Sequence, residues 1–434
     1  MKRKLTALLL TLSLLAALGA SAAFADNAAH TERRPADEET ESAAAAEETA
    51  APEGQAEEPD AEPAVTPDAE GTLSFENIGA RMHASYYPIL ALEESVRFLD
   101  ELDYEHMENQ LREQLNDVAS MQWMLVSFGL SKSDEYKQME QAYNAMREQF
   151  DAIREGDMQK DNADALRQLR NAQNQMIVFG ESLFIALKGL DAQDAALSRQ
   201  IAQLDRTIKE LRLREELGQI PALTAQQAEL GRTQAQSGRQ TLRMNRDNYL
   251  LQLESMVGAE LGEPLALGEL PKVTAAELEK MDLEADLETA REASYSLFDA
   301  RKTYEDARDT YLRDGGDYDN TTVTEIRAKH TFATAQYTYD NEVVTFELNF
   351  RVLYAQVKDC AQVLSAARAA LAEQEREYAV SALKFEQGNI SANALSDAKD
   401  ELAAAKAAVT DAERELFSKY RSYQWAVEYG ILNS

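Results

Sequence analysis

Two runs near the carboxyl end place small and apolar residues at strict three-four spacing, and few folds accommodate that pattern. Leu395, Ala398, Leu402, Ala405, Val409, Ala412 and Leu416 form one run. Leu364, Ala367, Leu371, Gln374, Tyr378, Ser381 and Phe385 form the other. Spacing of this kind returns every member to one side of a helix and is the seam of a coiled coil. Between the runs stands Gly388-Asn389-Ile390-Ser391. A Gly-Asn pair closes the first helix, because both residues tolerate the left-handed conformation, and Ser391 can cap the next. The pattern predicts an antiparallel helical hairpin with its tip at Gly388.

A second tip lies upstream. Gly218-Gln219-Ile220-Pro221-Ala222 follows a helix carrying Leu204, Ile208, Leu211 and Glu215. The returning helix starts with Pro221 in its first turn, where a missing N–H costs nothing. Its seam reads Ala228, Gly231, Ala235, Gly238, Leu242, Asn245 and Tyr249. Each interior glycine costs about 1 kcal/mol relative to alanine, so two on one seam lead us to expect another backbone in close approach. Both returning helices end on glycine, Gly258 and Gly430, and the two halves repeat at an offset of about 170 residues. The repeat openings also correspond, with Ser85-Tyr86-Tyr87-Pro88 in the first half and Ser294-Tyr295 in the second.

Composition agrees with a helical chain. Only 18 glycines and 9 prolines occur in 434 residues, below their usual shares of roughly 7% and 5%. The net charge of −33 argues against nucleic acid as a partner, since its binders carry basic surfaces. A single cysteine, Cys360, forms no internal disulfide or thiolate zinc site; it reads as a small buried hydrophobe. His30, His83, His106 and His330 show no metal-ligand spacing, and no phosphate loop or nucleophile elbow is present. No metal, cofactor or enzymatic activity is expected.

The amino terminus differs from the rest. Lys2, Arg3 and Lys4 precede an apolar run over residues 5–18, and Ala23-Phe24-Ala25 supplies small residues at the positions read by a signal peptidase. Residues 1–25 are expected to be a signal peptide cleaved before Asp26, which exports the protein to the cell envelope. The run falls short of the roughly 20 residues that a spanning helix needs. Residues 26–72 hold Pro35, Pro52, Pro59, Pro63 and Pro67 among Ala, Glu and Thr, with only Arg33 and Arg34 against many acidic residues. Such a stretch does not bury enough apolar surface to offset its ordering entropy. An acidic disordered linker is expected, either a plain spacer or a tether through the cell wall.

The two tips, with the linker Val257-Gly258 … Gly262-Glu263-Pro264-Leu265, resemble the outer-membrane efflux protein family, the TolC-like channels. The matching residues are Gly388-Asn389-Ile390-Ser391 … Leu395 … Ala398 and Gly218-Gln219-Ile220-Pro221 … Ala225 … Ala228. The resemblance divides the chain into repeat 1 (73–271) and repeat 2 (272–434), both all-α, each a set of long coiled-coil hairpins. It implies a homotrimer closed into a hollow helical barrel, forming the exit duct of a tripartite efflux or secretion system. It implies a periplasmic-type adaptor protein as docking partner and an inner-membrane pump behind the adaptor. On this resemblance Gly218, Gln219, Ile220, Pro221, Ala222, Gly388, Asn389, Ile390 and Ser391 are docking and gating positions. Asp397, nine residues after the second tip glycine, stands where the family lines its narrowest point; a ring of three such carboxylates favours cations. An ordinary solvated helix residue is the competing reading of Asp397.

The departure from the family concerns the membrane. A spanning strand needs about 9 to 11 alternating residues. Residues 345–352 alternate, but Val343, Phe346, Phe350, Leu353 and Val357 fit a helical stripe equally well. The turn Asp314-Gly315-Gly316-Asp317 joins two helical stretches where a strand pair is expected, and residues 121–130 and 176–187 are apolar without alternating. The barrel strands are therefore expected to be reduced or absent, and membrane insertion stays open. The first-repeat turn falls at 128–134 or 155–162. Tyr295, Tyr304, Tyr311, Tyr318, Tyr337, Tyr339 and Tyr354 form either a packing stripe or an interfacial belt. A secreted coiled-coil structural or interaction protein without channel activity is the alternative function.

Overall fold

A computed structural model describes residues 68–69, 71–260, 262, 265–315 and 323–432. The signal peptide, most of the acidic linker, Glu263, Pro264 and the Gly316-Asp317 part of the expected turn lie outside them, as do His30 and Tyr318. Folded contacts begin at Asp68, ahead of the expected start at residue 73. The Asp68 carboxylate accepts from the Ser74 backbone N–H at 3.0 Å and from Asn77 Nδ2 at 2.7 Å.

Helix dominates the described residues. A short strand β1 (Thr72–Leu73) precedes α1 (Ile78–Ser85), α2 (Tyr87–Asp100), α3 (Tyr104–Ser127), α4 (Asp134–Glu155), α5 (Asp157–Glu216) and α6 (Ala222–Val257). Strand β2 (Ala266–Leu267) follows, then α7 (Ala275–Lys280), α8 (Leu283–Ala293), α9 (Tyr295–Gly315), α10 (Val323–Glu386) and α11 (Ala392–Tyr429). β1 and β2 pair in parallel, Thr72 with Ala266 and Leu73 with Leu267, and make the single sheet among the described residues. The segment 345–352 is helical and lies within α10. Its stripe turns Phe346, Phe350, Leu353 and Val357 into the core, so the period of 3.6 prevailed over the period of 2. No described helix is long and apolar enough to cross a membrane.

The tandem repeat is visible in three dimensions. In each half an opening helix (α1 or α8) leads to a long descending helix (α5 or α10), a tight tip and a returning helix (α6 or α11). At 60 and 64 residues, α5 and α10 each extend about 90 Å or more. Both candidate turns of the first repeat exist. Residues 128–133 separate α3 from α4, and Gly156, at φ 81°, breaks the chain between α4 and α5.

Two apolar cores lie at the bases of the hairpins. The first gathers Ile78, Met82, Ile89, Phe184, Leu187 and Leu253 with Phe417 and Trp425 from the second half. The second gathers Leu287, Phe346, Phe350, Val357, Leu416 and Tyr423, with the half-buried Cys360 packed on its edge. Phe75 ties the halves together by meeting Phe184 and Phe417 edge-to-face, with centroids at 5.7 and 4.8 Å, a geometry in which the positive ring edge faces a negative ring face. Tyr304 and Tyr311 stack on Phe332 and Tyr339 between α9 and α10. For these tyrosines the packing stripe is the observed role.

Candidate docking site at the hairpin tips

The two tips close the descending helix with the same pair of backbone hydrogen bonds. In the first, Gly218 N–H donates to Glu215 O at 2.8 Å and Gln219 N–H to Arg214 O at 2.8 Å. In the second, Gly388 N–H donates to Phe385 O at 2.9 Å and Asn389 N–H to Lys384 O at 2.8 Å. These paired bonds satisfy carbonyls that the helix end leaves orphaned, and they require a left-handed residue after the helix. Gly218 and Gly388 supply it, at φ 71° and 74°. Beyond them Ser391 caps α11 by accepting from Ala394 N–H at 3.2 Å. Pro221 stands at the cap itself, extended at ψ 146°, so α6 starts at Ala222, one residue later than the sequence suggests. Gln219 and Asn389 are exposed at the apices, while Ile220 and Ile390 are half-buried.

Contacts along the whole length of α5 and α11 hold the tips at one end of a helical layer. Near the tips, Asn393 Nδ2 donates to Glu210 Oε2 at 3.3 Å, and Arg206 pairs with Asp400. Midway, Gly189 makes room for the Arg414 guanidinium, which lies 3.5 Å from where a Cβ would stand. At the base, Arg421 and Trp425 both converge on the buried Glu181. The helices therefore run in the order α6, α5, α11, α10, with α5 and α11 antiparallel.

Within the first hairpin, arginines of α6 lace onto aspartates of α5. Arg232 meets Asp205 at 2.7 Å, Arg246 meets Asp191 at 2.5 Å, and Arg239 and Arg243 share Asp194 at 2.8 and 3.0 Å. Hydrogen bonds from Arg239 and Arg243 hold the Asp194 carboxyl well below the usual carboxylate range. Arg232, Arg239 and Arg246 are spaced one heptad apart, the flanking register in which charged residues select a partner helix. That signal was present in the sequence beside the apolar seam.

Asp397 is 57% exposed and lies 3.8 Å from the Arg206 guanidinium, which pairs more closely with Asp400. One expectation changes here. Gly231 and Gly238 meet nothing within 4 Å of an added Cβ. The close backbone approach expected at these glycines is absent among the described residues; they sit on an open flank of α6. Close neighbours are met instead at Gly258, Gly430 and Gly180, where a Cβ would meet Ser85 Cβ at 2.4 Å, Ser294 Cα at 2.2 Å and Met82 Sδ at 2.6 Å.

No protein-family model and no curated protein matches the chain. Among solved structures it is similar to the outer-membrane channel OprN, at 12% identity over 82% of this chain and 90% of that one, with a TM-score of 0.48. It is also similar to CusC, a transmembrane channel, at 13% identity over 82% and 96% of the two chains and a TM-score of 0.46. The outer membrane protein VceC of Vibrio cholerae is similar at 13% identity over 62% and 74%, with a TM-score of 0.41. The chain resembles TolC-like outer-membrane channels. At these identities and scores the likeness extends to the course of the helices and no further.

Proposed function

We propose that this protein is a subunit of a TolC-like exit duct in the cell envelope, a non-enzymatic channel component whose paired tips dock an adaptor protein backed by an inner-membrane pump. The observation that carries this reading is the congruence of the tips. Two turns with the same hydrogen bonds, at φ 71° and 74°, stand side by side at one end of a single layer, joined by Asn393 and Glu210. A rod has no need of two matched ends in register. The homotrimer implied by the TolC-like resemblance is supported by the flanks of that layer. On α6, Leu223, Leu230, Met244 and Leu251 are exposed at multiples of a heptad, and on α10, Val352, Val363 and Val380 are exposed. Pairing α6 of one copy with α10 of the next covers both stripes and closes a ring.

In this duct the residues at 218–222 and 388–391 form the docking surface. Asp397 and Asp400 share the single Arg206, so the entrance keeps a net negative charge. Opening loosens the short polar contacts near the tips before it disturbs the bases, where the apolar cores lie. The direct test replaces the exposed apices, with Gln219→Arg and Asn389→Arg combined, in cells that export through the system. Export is expected to fall at least tenfold while helicity and melting temperature stay unchanged. Unchanged export would remove the tips from docking and favour the alternative, a secreted coiled-coil scaffold.

A further inference from the structure

The α3–α4 hairpin ends in an apolar turn for which the docking role has no use. Its base lies at the start of α5, where Asn162 Nδ2 donates to Tyr104 Oη at 2.8 Å. The docking tips lie at the other end of α5, a helix of 60 residues and about 90 Å. Residues 118–131 contain no charged side chain, in a chain with 121 charged residues and a net charge of −33. Trp123 is 74% exposed and Phe128 72%, and Met121, Met124, Val126 and Leu130 are exposed beside them.

The distribution around the helix identifies what covers this turn. Met121, Met124 and Phe128 follow one another at three and four residues and share a side of α3. Trp123 and Val126 lie on the other side, since each residue advances about 100°. A single partner helix covers one stripe; a surrounding medium covers both at once. The backbone is prepared for such a medium as well. Leu130 N–H donates to Leu125 O at 2.9 Å, Gly129 N–H to Val126 O at 3.0 Å, and Ser133 N–H to Leu130 O at 3.0 Å, while Ser127 Oγ donates to Met124 O at 2.7 Å. These bonds pair part of the turn's backbone, while the Ser131 and Lys132 N–H groups have no backbone acceptor, which suits the hydrated interfacial layer and not the hydrocarbon core.

We infer that the α3–α4 turn is a membrane-surface anchor that inserts Trp123, Phe128 and their apolar neighbours into the interfacial layer of a phospholipid bilayer. The match is one of charge on the α3 side of the turn: residues 118–131 carry none and meet the uncharged boundary of the acyl chains, while Lys132, Asp134, Glu135 and Lys137 at the start of α4 stay among the headgroups. The depth is interfacial, about 5–10 Å, because the first half of α3 carries Glu105, Glu108, Arg112, Glu113 and Asp117 and cannot follow. The inference is independent of the role given to the tips at 218 and 388.

Tryptophan fluorescence tests it directly on the full chain with neutral phosphatidylcholine vesicles. The chain has two tryptophans, and Trp425 is buried, so a change in emission reports Trp123. Addition of vesicles is expected to shift the emission to the blue. Brominated phosphatidylcholine should quench it, and 1 M salt should leave both effects unchanged. In flotation, Val126→Ser combined with Phe128→Ser should lower vesicle partition at least tenfold. Because both side chains are exposed, melting should not change. Emission unmoved by vesicles, or equal flotation of the variant, overturns the inference. A blue shift that grows with protein concentration without lipid also overturns it, and assigns the turn to contact between copies.

Discussion

Arg421 grips Glu181 through two parallel hydrogen bonds, Nε to Oε2 at 2.9 Å and Nη2 to Oε1 at 2.8 Å, across 240 residues of chain. Glu181 is almost completely buried and also accepts from Trp425 Nε1 at 2.7 Å. The pair fastens α11 of the second repeat to α5 of the first beside the first apolar core. Arg421→Ala leaves a buried carboxylate facing only the indole, and should cost roughly 3 kcal/mol in urea unfolding. Removing both charges, with Glu181→Leu and Arg421→Leu together, should cost less than Arg421→Ala alone, since no charge is then stranded. A double variant that is less stable than Arg421→Ala would contradict this.

The closing glycines of the two repeats should respond differently to rescue. Both are left-handed caps, Gly258 at φ 66° and Gly430 at φ 63°, so alanine is strained at either site. At Gly258 the obstructing atoms are Ser85 Cβ and Oγ, and at Gly430 they are the backbone Cα and N of Ser294. Either alanine should cost roughly 2–4 kcal/mol by combined strain and overpacking. Adding Ser85→Gly should recover part of the loss at Gly258. Adding Ser294→Gly should recover almost none at Gly430. Thermal melting of the four variants distinguishes the two cases.

Gly231 and Gly238 make the opposite prediction. They lie inside α6 with open space where a side chain would go, so alanine lowers the entropy lost on folding without a clash. Each of Gly231→Ala and Gly238→Ala should stabilise the chain by about 1 kcal/mol in urea unfolding. Destabilisation at either site would place these two glycines inside the α6–α10 contact between copies and not beside it.

The lacing of the first hairpin predicts an acid limit. Hydrogen bonds from Arg239 and Arg243 depress the Asp194 carboxyl, and those from Arg368 and Lys272 depress that of Glu413. A carboxylate depressed in the folded state contributes stability above its unfolded value of roughly 4, and loses it as pH falls through the folded value. The urea midpoint should therefore drop progressively as pH falls below about 5. Asp194→Asn should lower stability at neutral pH and flatten the acid slope. A variant with the wild-type slope would show that Asp194 does not contribute to it.

The seams, tips and repeat were legible because each rests on local chemistry. A three-four apolar period, a glycine able to take positive φ, and a serine whose hydroxyl oxygen accepts from a nearby backbone N–H act over a few residues. Leu364, Ala412 and Leu416 are buried as their spacing indicates, and Ser391 caps as its position indicates. Contacts between hairpins were not legible. Glu181 and Arg421 are two of 121 charged residues, and nothing local distinguishes them until folding brings α5 beside α11. Gly231 and Gly238 misled for the complementary reason. A glycine in a helix announces a missing side chain, and whether a neighbour fills that space depends on the surface it faces.

On the proposed function, copies of this four-helix layer close into a ring with the tips at one end. Molar mass by light scattering, on protein purified in mild detergent, distinguishes a ring from a lone subunit. One species containing three chains is expected. A monomer, or a mixture of sizes, would contradict it and leave the hairpins as parts of a secreted helical scaffold.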